Sequence, residues 1–262
     1  MSYESFSARN LQIEIRDEIA IATMNRPAKR NAVDYALHQA LEEAFHVLGH
    51  DPNIAAVVLT GAGTAFCAGG DVAGFYPEDA GPLSTMRCRH LVNAIVNCEA
   101  PIIAAVNGVA AGLGATIALL CDVIFMADSA RIGDTHVNMG LVAGDGGAVI
   151  WPLLVGPHRA KEFLMAGKMA TAQDAAAMGL VNHIVAPDRL LDEALAYARE
   201  LAARPKPAVR WTKMLINQAV QQNMNLMLSL GYATEQLSSH TEDQKEAVAA
   251  FFEKRKPKFT GK

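Results

Sequence analysis

Apolar residues in the first half of the chain follow spacings typical of strands. The stretches LQIEI and IAIAT alternate apolar with other residues, and the polar RDE between them predicts a hairpin. AAVVLTG and PIIAAVNG are continuous apolar runs that end in glycine, as buried strands of parallel sheets do. CDVIFMA is a further short run of this kind. These segments predict a sheet that is largely buried.

Other segments carry apolar residues at helical spacing behind a capping residue. Asp34 precedes such a segment and is predicted to be its N-cap. Thr171 with Asp174, and Thr241 with Gln244, have the spacing of capping boxes. Strands and helices therefore alternate in the first part of the chain, which predicts an α/β fold class.

The last third of the chain reads as helical. Pro187 is predicted to open a helix that runs to Arg204, and the sequence from Lys206 onward favours helices only. We therefore divide the chain into a core at residues 1–200 and a C-terminal helical region at residues 201–262. The helical region is expected to pack on the core or on a neighbouring subunit.

The composition excludes several classes of function. The chain has 262 residues, of which 51% are hydrophobic, and a net charge of −4, so it lacks the basic surface that nucleic acids require. No apolar run reaches membrane-spanning length. The four cysteines lack the spacing of metal ligands, and we expect reduced thiols, a cytoplasmic location and no metal site. These cysteines are Cys67, Cys88, Cys98 and Cys121.

Two glycine-rich turns follow predicted strands. GTAFCAGGD occupies residues 63–71, and NGVAAGLGATIALLCD occupies residues 107–122. The second turn leads into a helix near Leu113, where backbone N–H groups are free of acceptors inside the helix. Two such turns, if they lie together, supply N–H donors to a developing oxyanion. A glycine turn taken alone is a weak signal, because glycine also simply permits a tight turn.

Together with their surroundings, the turns resemble the crotonase (enoyl-CoA hydratase/isomerase) superfamily. The matching segments appear in the family's order along nearly the whole chain: NRPAKRNAVD, VVLTGAGTAFCAGGD, PIIAAVNGVAAGLGATIALLCD, GLVAGDGG, AAAMGLVNHIV and AFFEKRKPKF. The resemblance implies a spiral of ββα units with a helical C-terminal region for trimerisation. It also implies a homotrimer or a dimer of trimers.

The resemblance further implies a site for an acyl-CoA thioester. The N–H groups of Ala68 and Leu113 would form the oxyanion hole for the thioester carbonyl. Lys29 or Arg30 would lie near the phosphates of coenzyme A. The other implied substrate-binding positions are Gly69, Gly70, Asp71 and Gly112. Coenzyme A enters as part of the substrate, and no bound cofactor is expected.

The chain departs from the family at both catalytic glutamates of the hydratases. Thr116 and His136 stand at those two positions. A threonine hydroxyl without an activating partner is not a base near neutral pH. A histidine side chain has an ordinary pKa near 6.5, so His136 is expected to take over the proton shuttle. Ordinary enoyl-CoA hydration is therefore expected to be slow or absent.

Asp145 follows His136 in the run HVNMGLVAGDGG. This run and the WP pair after it resemble the β-diketone hydrolase branch typified by oxocamphor hydrolase. The resemblance implies a His136–Asp145 pair that activates water, with His38 as a further catalytic residue. Two alternatives stay open: Asp145 could cap the following helix, and His38 could be a packing residue. His90 is the other histidine that we consider.

The sequence thus leaves three functions open. The first is an enoyl-CoA hydratase/isomerase family enzyme that acts on an acyl-CoA through an oxyanion-stabilised enolate. The second is a retro-Claisen hydrolase that cleaves a β-diketone with activated water. The third is a non-catalytic protein that binds acyl-CoA.

Overall fold

Two sheets form the centre of the protein. The structure, a computed structural model, describes residues 3–72 and 89–262 in full, and the backbone but not the side chain of Cys88. The strands of this part are β1 (Leu11–Arg16), β2 (Ile19–Met24), β3 (Ala56–Gly61), β4 (Ala65–Cys67), β5 (Ile102–Val106), β6 (Val109–Ala111), β7 (Val123–Ala127), β8 (Arg131–Gly133), β9 (Ala170–Thr171) and β10 (His183–Val185).

Helices surround these sheets and continue beyond them. They are α1 (Tyr35–His50), α2 (Cys88–Asn97), α3 (Leu113–Leu119), α4 (Gly147–Leu164), α5 (Ala172–Met178), α6 (Leu190–Ala202), α7 (Lys206–Ser238) and α8 (Glu242–Glu253). Short 3-10 turns lie at Glu4–Arg9, Pro27–Lys29, His136–Met139 and Pro187–Arg189. The predicted mixed α/β class is confirmed.

The larger sheet has the order β1-β2-β3-β5-β7-β10. β1 and β2 pair antiparallel, so the predicted hairpin is present, and the other neighbours pair parallel. β3 and β5 are almost wholly buried, because helix α6 and strand β4 of the smaller sheet both pack against them. The continuous apolar runs in the sequence reflect this double coverage.

The smaller sheet has the order β4-β6-β8-β9 and consists of very short strands. Strands enter the two sheets alternately, so the chain repeats as β3-β4-α2, β5-β6-α3 and β7-β8-α4. These repeats are the ββα spiral that the family resemblance implied. β4, β6 and β8 run parallel, and their carboxyl ends therefore meet at one edge of the small sheet.

The predicted helix caps are present. The N–H of Leu37 donates to Asp34 Oδ1 over 2.8 Å, which caps α1. The N–H groups of Asp174 and Gln244 donate to Thr171 Oγ1 and Thr241 Oγ1. The expected start of a helix at Pro187 is wrong by a few residues, because a 3-10 turn precedes α6.

Helix α7 is anchored on the core by two buried cations. Arg210 donates to the carbonyl oxygens of Gly49 and Ile54 over 2.9 and 2.8 Å. Lys213 lies 2.7 Å from Asp122, and its ammonium also donates to a backbone carbonyl. The helical region thus packs on its own core. The boundary that we predicted at residue 201 lies inside the last turn of α6.

Three of the four cysteines are buried free thiols, namely Cys67, Cys98 and Cys121. The side chain of Cys88 lies outside the described residues. None of the helices in the described ranges is long and apolar enough to cross a membrane.

Candidate active site

The first glycine turn is bound to the segment RPAKRNAVD by backbone and side-chain hydrogen bonds. The N–H of Val33 donates to the Gly69 carbonyl, and the N–H of Asp71 donates to the Val33 carbonyl, both over 2.8 Å. Asn31 is fully buried and donates from Nδ2 to the carbonyl oxygens of Ala62 and Ala65. Asn31 therefore holds the two segments in register, a role that the sequence analysis missed.

The N–H of Ala68, one predicted oxyanion donor, has a partner in this structure. It donates to the Arg30 carbonyl oxygen over 3.0 Å. A ligand oxygen would have to share or replace that acceptor. Its role in an oxyanion hole stays a prediction, and the structure adds this condition to it.

The second glycine turn lies against the first. A Cβ atom on Gly114 would come within 2.2 Å of the Cys67 carbonyl oxygen, so the two chain segments touch. Gly112 has φ of 51°, a backbone conformation that favours glycine. α3 begins at Leu113, whose N–H therefore has no acceptor within the helix. This turn therefore offers a donor without an acceptor in its own helix, at the positive end of α3.

His136 lies directly beside the second turn. Its ring atom Cε1 is 3.5 Å from the position that a Cβ atom on Gly112 would take. The end of β8 delivers His136 to this place, as the end of β6 delivers Gly112. The adjacency of the predicted oxyanion turn and the predicted catalytic histidine follows from the parallel pairing of these strands.

Two aspartates flank the ring of His136. Its Nδ1 lies 2.7 Å from Asp134 Oδ1, and its Nε2 lies 3.2 Å from Asp145 Oδ2. The backbone N–H of His136 also donates to Asp134 Oδ1, over 3.1 Å. The structure therefore brings the predicted pair of His136 and Asp145 together. It adds Asp134, which the sequence analysis missed although it stands two residues before His136.

Thr116 takes part in the same cluster. Its hydroxyl donates to Asp145 Oδ1 over 3.0 Å, and both residues are buried. The backbone of Gly147, in the first turn of α4, also helps to lower the pKa of Asp145. The N-cap of α4 is Gly146, and no side chain caps this helix, so the alternative interpretation of Asp145 as its cap is wrong. Asp145 instead contacts His136. The Asp145 carboxylate therefore lies beside Thr116, the position where the family resemblance implies a glutamate in hydratases.

The electrostatics of this cluster favour a charged pair. Burial alone would lower the pKa of His136, but the charges and hydrogen bonds of Asp145 and Asp134 outweigh it, and its pKa lies well above the ordinary value. Burial alone would raise the pKa of Asp145, but the charge of His136 lowers it. Both ring nitrogens face carboxylate oxygens, and this arrangement favours the imidazolium form with both nitrogens donating.

Glu235 of α7 is a fourth ionisable member of the cluster. Burial raises its pKa to about 8, and the negative charge of Asp145 adds to that rise. Its Oε2 is buried without a hydrogen-bond partner among the described residues. Nothing in the sequence distinguished Glu235 from other glutamates on the long helix, because the contact depends on how α7 folds back.

The loop between His136 and Asp145 is held by the C-terminal helices. A Cβ atom on Gly144 would lie 2.2 Å from the Gly231 carbonyl oxygen and 2.8 Å from Glu235 Oε2. The N–H of Val142 donates to Ser238 Oγ over 3.1 Å. The C-terminal helices of the same chain therefore help to build the site.

Other predicted site residues lie elsewhere or have other partners. His38 is buried on α1, and its part in catalysis stays a prediction. Lys29 and Arg30 are exposed, whereas Asp71 forms an ion pair with Arg26 over 2.9 Å. His90 is exposed and lies 3.6 Å from Glu42, away from the cluster.

The cluster around His136 also has the residue types of a metal site. Ligand atoms of Asp134, His136 and Asp145 lie within 4.8 Å of one another. Each ring nitrogen of His136, however, already faces a carboxylate at hydrogen-bond distance. An ion-paired imidazolium accounts for this geometry without a metal.

The chain is similar over its whole length to proteins of one family. A family model described as enoyl-CoA hydratase/isomerase matches residues 14–262. A crotonyl-CoA hydratase of Syntrophomonas wolfei is 33% identical, and the match covers 100% of both chains. A 1,2-epoxyphenylacetyl-CoA isomerase of Escherichia coli is 35% identical over 92% of this chain and 94% of that protein.

Solved structures agree with these matches. The crystal structure of an enoyl-CoA hydratase/isomerase from Pseudoalteromonas atlantica superposes with a TM-score of 0.88 at 33% identity. It covers 96% of this chain and 100% of its own. The ββα spiral is therefore the crotonase fold, and the chain belongs to the enoyl-CoA hydratase/isomerase family.

Proposed function

We propose that this protein acts on an acyl-CoA thioester through an enolate, with an acid–base apparatus that differs from that of the hydratases. The observation that carries the proposal is the placement of His136, flanked by Asp134 and Asp145, within 3.5 Å of the space beside Gly112. Proton-transfer groups thus adjoin the turn that would hold the thioester oxygen. The family's CoA thioester chemistry supports the same substrate class.

The oxyanion would be held by the turn at Leu113. The N–H of this residue, which has no acceptor within α3, and the positive end of the helix favour the negative charge that develops on the thioester oxygen. The second donor would be the N–H of Ala68, which must exchange the Arg30 carbonyl for the substrate oxygen. Gly69, Gly70, Asp71 and Gly112 would line the substrate. Exposed Lys29 and Arg30 would lie near the CoA phosphates.

His136 would serve as a positioning and electrostatic group rather than as the base. We first expected it to shuttle the proton, but an imidazolium with both nitrogens donating has no lone pair to offer. Its charge keeps Asp145 ionised inside a buried site. It would also favour the negative charge of a neighbouring enolate.

Asp145 and Glu235 would form the acid–base pair. Their environments push their pKa values apart, because Asp145 contacts the imidazolium and Glu235 is buried without a cation of its own. Asp145 would accept the proton from the α-carbon of the thioester, and protonated Glu235 would return a proton to the enolate. This pair could support isomerisation, while the hydration that needs two opposed glutamates would be slow.

The test is proton exchange at the α-carbon of butyryl-CoA in deuterated water, followed by NMR. The wild type should exchange this proton, and Asp145→Asn should slow the exchange by about a thousandfold, as loss of a general base does. The exposed Asp188→Asn is the matched control and should leave the rate unchanged. Wild-type crotonyl-CoA hydration should be far slower than that of family hydratases.

Two results would contradict the proposal. Crotonyl-CoA hydration at the rate of family hydratases would show that the glutamates are not needed. Tight acyl-CoA binding without any α-proton exchange would instead indicate the third alternative, a protein that binds acyl-CoA without catalysis.

A second candidate is retro-Claisen hydrolysis of a β-diketone or β-keto thioester. The series Asp134, His136 and Asp145 favours it, because Asp145 could activate a water molecule while protonated Glu235 donates to a ketone oxygen. Hydroxide would add to one carbonyl, and the carbon–carbon bond would break to give a carboxylic acid and an enolate. Cleavage of a panel of cyclic 1,3-diketones by wild type and His136→Ala tests this, and an inactive wild type excludes it.

We further propose that the chain assembles into a homotrimer or a dimer of trimers. Large apolar side chains on α7 are more than 60% exposed in the single chain, which is typical of surfaces that associate. They are Trp211, Leu215, Ile216, Leu226, Leu230 and Leu237. Light scattering after size exclusion should give three or six chains, and a monomer would contradict the proposal.

The buried free thiols support a reducing, cytoplasmic location.

A further inference from the structure

A pair of histidines lies on the surface at the end of α1. His46 and His50 are one helical turn apart, and both are exposed. Their ring centroids are 4.7 Å apart, with ring planes inclined by 49°. They share no residue with the cluster around His136.

The spacing of the two rings fits the coordination of one metal ion. A nitrogen–metal bond of about 2.1 Å places the ion about 3.2 Å from each ring centroid. Two rings at about 90–110° around the ion then have centroids about 4.5–5.2 Å apart. The observed separation of 4.7 Å falls within this range.

The hydrogen bond of His50 uses its Nδ1 and leaves its Nε2 available to bind a metal ion. Its Nδ1 lies 2.7 Å from the carbonyl oxygen of His46, which can only accept, so Nδ1 carries the proton. The lone pair is then on Nε2, which is the tautomer of a metal-binding histidine whose other nitrogen is held by a carbonyl.

The local charge also favours a cation. His50 is the last residue of α1, where the free carbonyl groups and the helix dipole are negative. Glu42 lies one turn before His46 on the same helix. Arg9, which is paired with Glu43 over 2.7 Å, is a neighbouring cation and opposes this effect in part.

We propose that His46 and His50 chelate a late first-row transition-metal ion at the surface of α1. Two imidazoles with water in the remaining positions suit Cu²⁺, Ni²⁺ and Zn²⁺, with Cu²⁺ bound most tightly, and do not suit Mg²⁺. The ion would connect the last turn of α1 to the turn before it. Arg210 donates to the carbonyl of Gly49 in this last turn, so the ion would also stiffen the contact with α7.

The experiment is calorimetric titration of the full-length, untagged protein with CuCl₂, NiCl₂, ZnCl₂ and MgCl₂. The wild type should bind one Cu²⁺ per chain and should not bind Mg²⁺ at this site. His46→Gln and His50→Gln should each weaken Cu²⁺ binding by about a hundredfold, because the second ligand supplies the chelate effect. Cu²⁺ should raise the Tm of the wild type but not of these two variants.

His240 offers a matched control. It is exposed, and its Nδ1 lies 2.8 Å from the Gln236 carbonyl. His240 therefore has the same kind of hydrogen bond as His50, but the residue one turn before it is a glutamine and not a histidine. His240→Gln should bind Cu²⁺ as the wild type does. Equal Cu²⁺ affinity of wild type and His50→Gln would overturn the proposal. Loss of binding in Asp145→Asn alone would also overturn it, because the ion would then sit in the His136 cluster.

Discussion

Helix α7 takes part in two buried ionic clusters, and the two differ in how well their positive and negative charges match. Near its start Lys213 meets one aspartate, Asp122, at 2.7 Å, and Arg210 donates to backbone carbonyls. Near its end Glu235 joins two aspartates that share one imidazolium, that of His136. The two ends of α7 therefore differ in charge matching rather than in burial.

The difference separates an anchor from a reactive site. In the anchor Lys213 pairs with Asp122, and both cations donate to backbone carbonyls, although Arg210 Nε has no partner among the described residues. In the site burial, together with the neighbouring carboxylates, raises the pKa of Glu235 to about 8, and one oxygen of Asp134 has no partner among the described residues. Groups that titrate near neutral pH are suited to proton transfer.

Replacing the cation in each region should separate stability from activity. His136→Ala leaves two buried carboxylates unpaired, and Lys213→Met leaves one. Each should lower the free energy of unfolding by about 3–5 kcal/mol, measured by urea titration. Only His136→Ala should abolish α-proton exchange per folded molecule. Equal loss of exchange in both variants would mean that the cluster is structural.

A larger side chain at position 231 should separate α7 from the loop between His136 and Asp145. It should disturb the site and leave the contacts of Arg210 and Lys213 intact. A Cβ atom on Gly231 would come within 2.7 Å of the Gly144 carbonyl oxygen. Gly231→Val should therefore cost about 1–3 kcal/mol of stability and slow proton exchange, because the loop with Asp145 must move. Ala177→Val, on the exposed side of α5, is the control and should keep full activity.

The pH dependence of stability should identify Glu235. Its pKa rises from an ordinary 4.5 to about 8 on folding, so the folded state holds a proton that the unfolded state releases between these values. Stability from this group is present at low pH and is lost as pH rises through that window, by at most about 1.4 kcal/mol per pH unit. Glu235→Gln should remove this slope in denaturation curves recorded from pH 5 to 9.

If the free energy of unfolding of Glu235→Gln keeps the same dependence on pH, the proton taken up on folding belongs to another group. Lys213→Met gives the comparison, because it should leave the Glu235 slope in place.

We expect the smallest effect on activity from removal of the Thr116 hydroxyl, which donates to Asp145. Thr116→Val removes a buried hydrogen bond of 3.0 Å and should cost about 1 kcal/mol. Asp145 keeps His136 as a partner, so proton exchange should slow only a few-fold. Loss of all exchange would show that Thr116 has a direct part in the reaction.

Local patterns predicted the elements well. Asp34, Thr171 and Thr241 cap helices through bonds to residues three positions away, so the sequence contains the whole interaction. The long apolar strands were equally visible. Strands β4, β6 and β9 were missed, because two or three residues are too few for a period to show.

The site was predictable only in part. The pairing of His136 with Asp145 was inferred, but the two acids that change its chemistry were not. Asp134 had a local signal, since an aspartate two residues before a histidine can reach the ring. Glu235 had none, because α7 must fold back across the core before the contact exists. The role of His136 as a base was inferred from its ordinary pKa, which the two aspartates alter.

Gly231 lies in the interior of α7, where glycine weakens a helix by about 1 kcal/mol relative to alanine. The helix therefore depends on its contact with Gly144 at the point where it is intrinsically weakest. Opening of the loop would release this stretch of helix, and fraying of the helix would release the loop. Hydrogen exchange should accordingly report the loop and the distal half of α7 as one cooperative unit, so that the access of substrate and the local unfolding of a helix are governed by the same equilibrium.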